Sequence, residues 1–179
     1  MPSSFLKPLS TLLLLAIGVF ACSGPQNAWH VVTAVDNGGF QVEMPRPAGV
    51  QHGTIYLNTD PVETHINILA DSGITYVASW FDLPESLVAL PAEAIADSVW
   101  TLLHHDKHVT MLDEGTPWSG SDAEHRSTWL LAEDGTRLGT HMIFEGKRVM
   151  ILNAGTPGEY FGERERANIV RFLSSHRFQ

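Results

Sequence analysis

Cysteine is almost missing from this chain: among 179 residues, Cys22 carries the only thiol. An internal disulfide is thereby excluded, and an exported chain with no spare cysteine avoids mispairing in an oxidising compartment. Positive charge is scarce, with 11 Lys and Arg against 20 Asp and Glu and a formal net charge of −9. No lysine or arginine run is available to track phosphates, which argues against nucleic acid and anionic lipid headgroups as partners. A long apolar run is lacking too. Leu12 to Phe20 is about half the ~20 residues that a transmembrane helix needs, and Ser23-Gly24-Pro25-Gln26-Asn27 soon follows it. There is no HExxH frame, no G-x-S-x-G elbow and no EF-hand loop.

What is present at the start reads as a targeting segment. Lys7 supplies a positive n-region, and Leu12 to Phe20 is an apolar h-region of signal-peptide length. Val19-Phe20-Ala21-Cys22 resembles the lipobox of bacterial lipoproteins, in which a cysteine follows a small residue. Phe20 departs from the small or hydroxyl residue usual before Ala21, so an unlipidated secretory signal is the competing reading. The expected division is 1–21 as lipoprotein signal peptide, 22–28 as lipid-anchored linker and 29–179 as a single α+β domain. Cys22 is the expected lipidation site, bearing palmitate-type acyl chains, several of which anchor firmly where one holds only marginally. Ser23 in place of Asp implies, by the same resemblance, the periplasmic face of the outer membrane where the organism has two membranes. The linker spans at most about 20 Å at ~3.5 Å per residue, so the domain is expected to stay close to the membrane of the cell envelope.

About 158 residues follow the signal, enough to bury roughly 70 % of the unfolded surface without a metal or disulfide. Strand signals dominate. Trp29 to Val35 and Phe40 to Met44 flank the turn signal Asp36-Asn37-Gly38-Gly39. Thr54 to Asn58, Val62 to Ala70 and Ile74 to Phe81 follow, then Val109 to Asp113, His125 to Ala132, Arg137 to Phe144 and Arg148 to Asn153. Short turns between neighbours predict antiparallel pairing, because parallel strands need long crossovers. Helical spacing in Pro91 to His105 puts Ala92, Ile95, Ala96, Val99, Leu102 and Leu103 on one stripe, and Tyr160 to Ser175 turns Ile169, Phe172 and Leu173 inward. Five strands, helix, four strands, helix is an α+β order: one large antiparallel sheet flanked by two helices.

Four stretches resemble a known family. Gly39-Phe40-Gln41-Val42-Glu43-Met44-Pro45, Tyr76 to Pro84, Gly146-Lys147-Arg148-Val149-Met150 and Phe172 to Phe178 are similar to strands and the closing helix of bacterial lipoproteins of unknown function near the PsbP-like domains. The resemblance implies an α/β/α sandwich and a role in binding other macromolecules or assisting assembly, with no shared active site. His176 stands where the family has an aromatic residue, which implies a looser final turn.

Candidate sites are sparse. His104 and His108 are four apart and share a face of a continued helix, a spacing suited to a transition metal. Solvated histidines complementing the helix dipole explain them more simply, and Lys107 beside them opposes a cation. Asp113-Glu114 and Trp118-Ser119-Gly120-Ser121-Asp122 read as a polar loop. His65, His125 and His141 fall on strands, where convergence with a carboxylate in a concave pocket is the test of an active site. Trp80, Trp100, Trp118 and Trp129 read as core or rim. No catalytic, cofactor-binding or metal-binding residue is therefore expected. The functional expectation is a membrane-tethered non-enzymatic lipoprotein that binds an envelope protein or component. The alternative is a small periplasmic hydrolase or metal-binding protein built from scattered histidines and acids.

Overall fold

A computed structural model describes residues 29–57, 59–88, 90–104, 109–112 and 125–179. Cys22, the signal segment, the linker and the Asp113 to Asp122 loop with Trp118 lie outside the described residues. Two antiparallel sheets carry the fold. β1 (His30–Thr33), β2 (Phe40–Met44) and β10 (Arg177–Phe178) form a sheet in the order β1-β2-β10. β3 (Gly49–Leu57), β4 (Asp60–Asp71), β5 (Ile74–Asp82), β6 (Val109–Leu112), β7 (His125–Ala132), β8 (Arg137–Glu145) and β9 (Arg148–Thr156) form a seven-stranded sheet, ordered β3-β4-β5-β9-β8-β7-β6. It is two meanders joined where β9 pairs antiparallel with β5, Trp80 opposite Met150. α1 (Glu85–Val88) and α2 (Ala92–His104) connect the meanders, and α3 (Glu163–Ser174) precedes β10. No helix among the described residues is long and apolar enough to cross a membrane.

Alternation along the strands sends apolar residues to both faces, and each face has its own cover. Tyr76, Trp80, Met150, Leu152, Ile143 and Trp129 pack under Ile169, Phe172 and Leu173 of α3 and under Phe40, Val42 and Met44 of β2. On the opposite face Phe81, Met142, Phe144, Val149 and Ile151 meet Ile95, Ala96 and Val99 of α2, with Trp100 half-buried at the margin. An ion pair from Asp97 to Arg126 of β7, 2.7 Å long, adds a polar strap to that side. The fold is thus α+β and antiparallel with helices on both faces of the sheet.

Three details differ from the sequence reading. The first hairpin does not join the large sheet; β2 pairs instead with β10, Phe40 opposite Phe178, and lies over the face that α3 covers. A third helix, the short α1, precedes α2. β3 begins at Gly49 rather than Thr54 because its first half is an edge held by ladder bonds to β4, not by burial. Exposed residues give no apolar alternation to read.

Candidate functional site

The turn signal Asp36-Asn37-Gly38-Gly39 builds the most distinctive polar feature of the surface. Asp36 and Asn37 adopt positive φ of 51° and 60°, and Gly39 follows at 78°. Asp and Asn tolerate this left-handed region better than other residues with a side chain, and glycine enters it freely. Both backbone polar groups of the preceding Val35 are held by buried side chains. Its N–H donates to Asn67 Oδ1 at 3.3 Å, and its carbonyl accepts from Trp80 Nε1 at 2.9 Å. Arg148 then donates through one terminal nitrogen to the carbonyls of Asn37 and Gly38, both at 3.0 Å. Asp36 therefore projects from a backbone that three strands clamp.

Its carboxylate meets two histidines from a hairpin. Ladder register places His52 of β3 directly opposite His65 of β4, and His65 directly opposite Trp80 of β5. His65 Nδ1 donates to Asp36 Oδ2 at 2.9 Å, and His52 Nδ1 lies 3.6 Å from the same oxygen. One ligand atom from each of Asp36, His52 and His65 falls within 4.8 Å of the others. Glu63 brings a second carboxylate oxygen to 3.9 Å from His52 Nδ1. The His65 ring is stacked on Trp80, which Arg148 also approaches, 4.3 Å from the ring centre. The guanidinium is itself paired with Asp82 at 3.0 Å. Beside the histidines, His52, Gly53, Thr54, Pro61 and Glu63 line an open depression.

Of the three strand histidines singled out from sequence, His65 meets the Asp36 carboxylate beside a concavity. His125 and His141 meet each other, with His176 from the C-terminal segment. His141 is fully buried; its Nδ1 donates to the Leu173 carbonyl at 3.1 Å and its Nε2 accepts from His125 Nδ1 at 3.2 Å. Burial pushes the His141 pKa down to about 4, against the Leu173 hydrogen bond, with the neighbouring histidines lowering it further. His176 is lowered chiefly by burial as well. Its ring packs edge-on to His141, 4.9 Å between centres, so this segment is seated among aromatic rings and not loose. Trp80 and Trp129 are core residues and Trp100 is a rim residue, as read from sequence. The His104 side chain and residues His105 to His108 lie outside the described residues.

Sequence reasoning did not single out Asp36 or His52 as site residues. Asp36 was legible as a turn residue only, and His52 lies in the exposed half of β3. The signal that links it to His65 is the register of the hairpin, in which Leu57 faces Asp60.

No family model matches the sequence, and no curated protein matches it. Among solved structures, the chain is similar to the solution structure of cyanobacterial PsbP from Synechocystis sp. PCC 6803, at 10% sequence identity with a TM-score of 0.47, covering 91% of this chain and 99% of that one.

Proposed function

We propose that this protein is a membrane-tethered, non-enzymatic lipoprotein of the cell envelope whose ligand-binding face is the β3–β4 edge. The observation that carries the reading is the convergence of Asp36, His52 and His65 beside the open depression on that edge. Three segments supply the group, and the backbone of one is held at positive φ to do so. Both histidines turn to one carboxylate oxygen, an arrangement suited to holding a ligand. Among the described residues, β3 also leaves one side of its backbone unpaired at the sheet edge and exposes Val50 and Tyr56, apolar contacts of the kind a partner covers. Attachment through acyl chains on Cys22 would keep this face near the membrane surface. Of the alternative reading, the metal-binding half is the one the Asp36 group favours.

The test has two arms in intact cells. Cys22→Ser in the full chain is expected to leave an uncut precursor and abolish detergent-phase partitioning. A photocrosslinking residue at Tyr56 is expected to give a discrete adduct with an envelope component. The same residue at Met111, equally exposed on the far edge strand β6, is expected to give none. A Cys22→Ser chain that still matures and partitions, or equal adducts from both edges, overturns the reading.

A further inference from the structure

We infer that Asp36, His52 and His65 form a binding site for a divalent transition-metal cation of the zinc or copper(II) class. This rests on the β3–β4 edge being a ligand-binding face and names its ligand. Two imidazole nitrogens with one carboxylate oxygen are a donor set for zinc, copper or nickel. Calcium and magnesium demand six or more oxygens, most of which this edge does not offer.

The spacing agrees with that chemistry. A tetrahedral ion with bonds of ~2.05 Å sets its ligand atoms about 3.3 Å apart. The two Nδ1-to-Oδ2 separations, 2.9 and 3.6 Å, straddle that value. Glu63 brings an oxygen to 3.9 Å from His52 Nδ1 but stands outside the three-residue group, so solvent would fill the fourth position. The site is also open to an arriving ion, since His52 and Asp36 are about half exposed, 49% and 51%.

Preorganisation separates this group from a casual surface ion pair. The ladder fixes His52 opposite His65. Trp80 fixes the His65 ring plane at 11° from its own. Bonds to the flanking Val35, Asn37 and Gly38 backbone hold Asp36 in a left-handed conformation. Ligands locked by neighbours in this way bind metal more tightly than ligands that must be ordered first. Arg148, the nearby guanidinium, is paired with Asp82, and the net charge of the chain is −9, so the overall field favours an arriving cation. The competing account is an ion pair between Asp36 and protonated histidines. The two differ in sign with pH: an ion pair strengthens as imidazole protonates, whereas metal binding weakens because imidazole must be neutral to coordinate.

The experiment uses the full chain in detergent, stripped of metal with a chelator and titrated at neutral pH with Zn2+, Cu2+, Ca2+ and Mg2+. Zinc and copper are expected to raise the melting temperature saturably, and calcium and magnesium to leave it unchanged. His65→Gln and His52→Gln are each expected to weaken zinc binding by at least about 10–100-fold. His52 lies on an exposed edge, so its variant stays folded even where His65→Gln does not. The double variant His104→Ala, His108→Ala is expected to keep the full response. Electron spin resonance of the copper complex is expected to show coupling to two nitrogens in the parent and one in His52→Gln. Binding that strengthens in acid, no saturable shift with either metal, or a shift lost in the His104, His108 variant and kept in His52→Gln overturns the inference. An overturned inference with the Tyr56 adduct intact leaves the ligand-face reading standing with a different ligand.

Discussion

His65 lies flat on Trp80, with ring centroids 4.0 Å apart and planes 11° from parallel. The contact joins the surface to the core, because Trp80 is 6% exposed while His65 points at the Asp36 carboxylate. The same indole anchors the turn that carries Asp36 through its hydrogen bond to Val35. Trp80→Phe keeps a stacking ring and removes the N–H. It is expected to cost about 1–2 kcal/mol, one hydrogen bond plus some packing, and to weaken zinc binding more than a core substitution of equal cost on the α2 face. Urea unfolding alongside a zinc titration checks both; unaltered zinc affinity would show that Trp80 does not position the turn.

Gly38 is wedged under that turn. A Cβ there would lie 2.5 Å from Ala34 Cβ and 2.6 Å from Trp80 Nε1, neither of which is the end of a flexible chain. Gly38→Ala is therefore expected to destabilise by about 1–3 kcal/mol through overpacking and to shift Asp36. Gly49→Ala on the β3 edge meets nothing closer than 3.6 Å and is the expected near-neutral control. Melting temperatures of the two variants decide it, equal values being the adverse result.

Arg148 makes contacts that lysine cannot reproduce. Its planar fork engages Asp82 while a terminal nitrogen serves two backbone carbonyls and the flat face rests on Trp80. Lysine keeps the charge and loses the fork and the stacking. Arg148→Lys is expected to cost about 1.5–3 kcal/mol, the range for hydrogen bonds to charged groups. Hydrogen exchange should then rise in the Val35 to Gly39 turn while that of β8 stays unchanged. Uniform exchange across the turn in both proteins would argue against a clamp.

The fold was largely legible because local signals agree with burial. The stripe Ile95, Ala96 and Val99 faces the sheet as its spacing predicts, and Asp134-Gly135 and Glu145-Gly146 turn the chain where strands end. What stayed hidden depends on pairings distant in sequence. Nothing near Arg177 announces that it lies opposite Gln41, so the first hairpin could not be separated from the large sheet. The candidate site was half visible. His65 stood out on a strand, but His52 has no apolar neighbours alternating around it, and Asp36 looked like any turn residue. Only the hairpin register and the fold of the turn over β4 and β5 bring the three together.

The buried histidines make stability depend on pH in a definite direction. An ordinary histidine, as in the unfolded chain, takes a proton near pH 6.5, whereas folded His141 resists until about pH 4. Between those values the unfolded chain binds more protons, so stability rises with pH. It is complete above pH 6.5 and drains away as pH falls towards 4. The gap corresponds to about 3 kcal/mol from His141, and the lowered His176 adds in the same sense. The cause is burial first, since the His141 ring is fully buried; a proton added to Nε2 would also face the His125 N–H that now donates to it. His141→Asn removes the titrating ring. It is expected to be less stable than the parent at pH 7 and to lose less stability between pH 7 and pH 4, the difference in slope approaching about 3 kcal/mol. Urea unfolding of both chains at the two pH values measures it. Parallel losses would show that acid acts through the carboxylates and not through this buried ring.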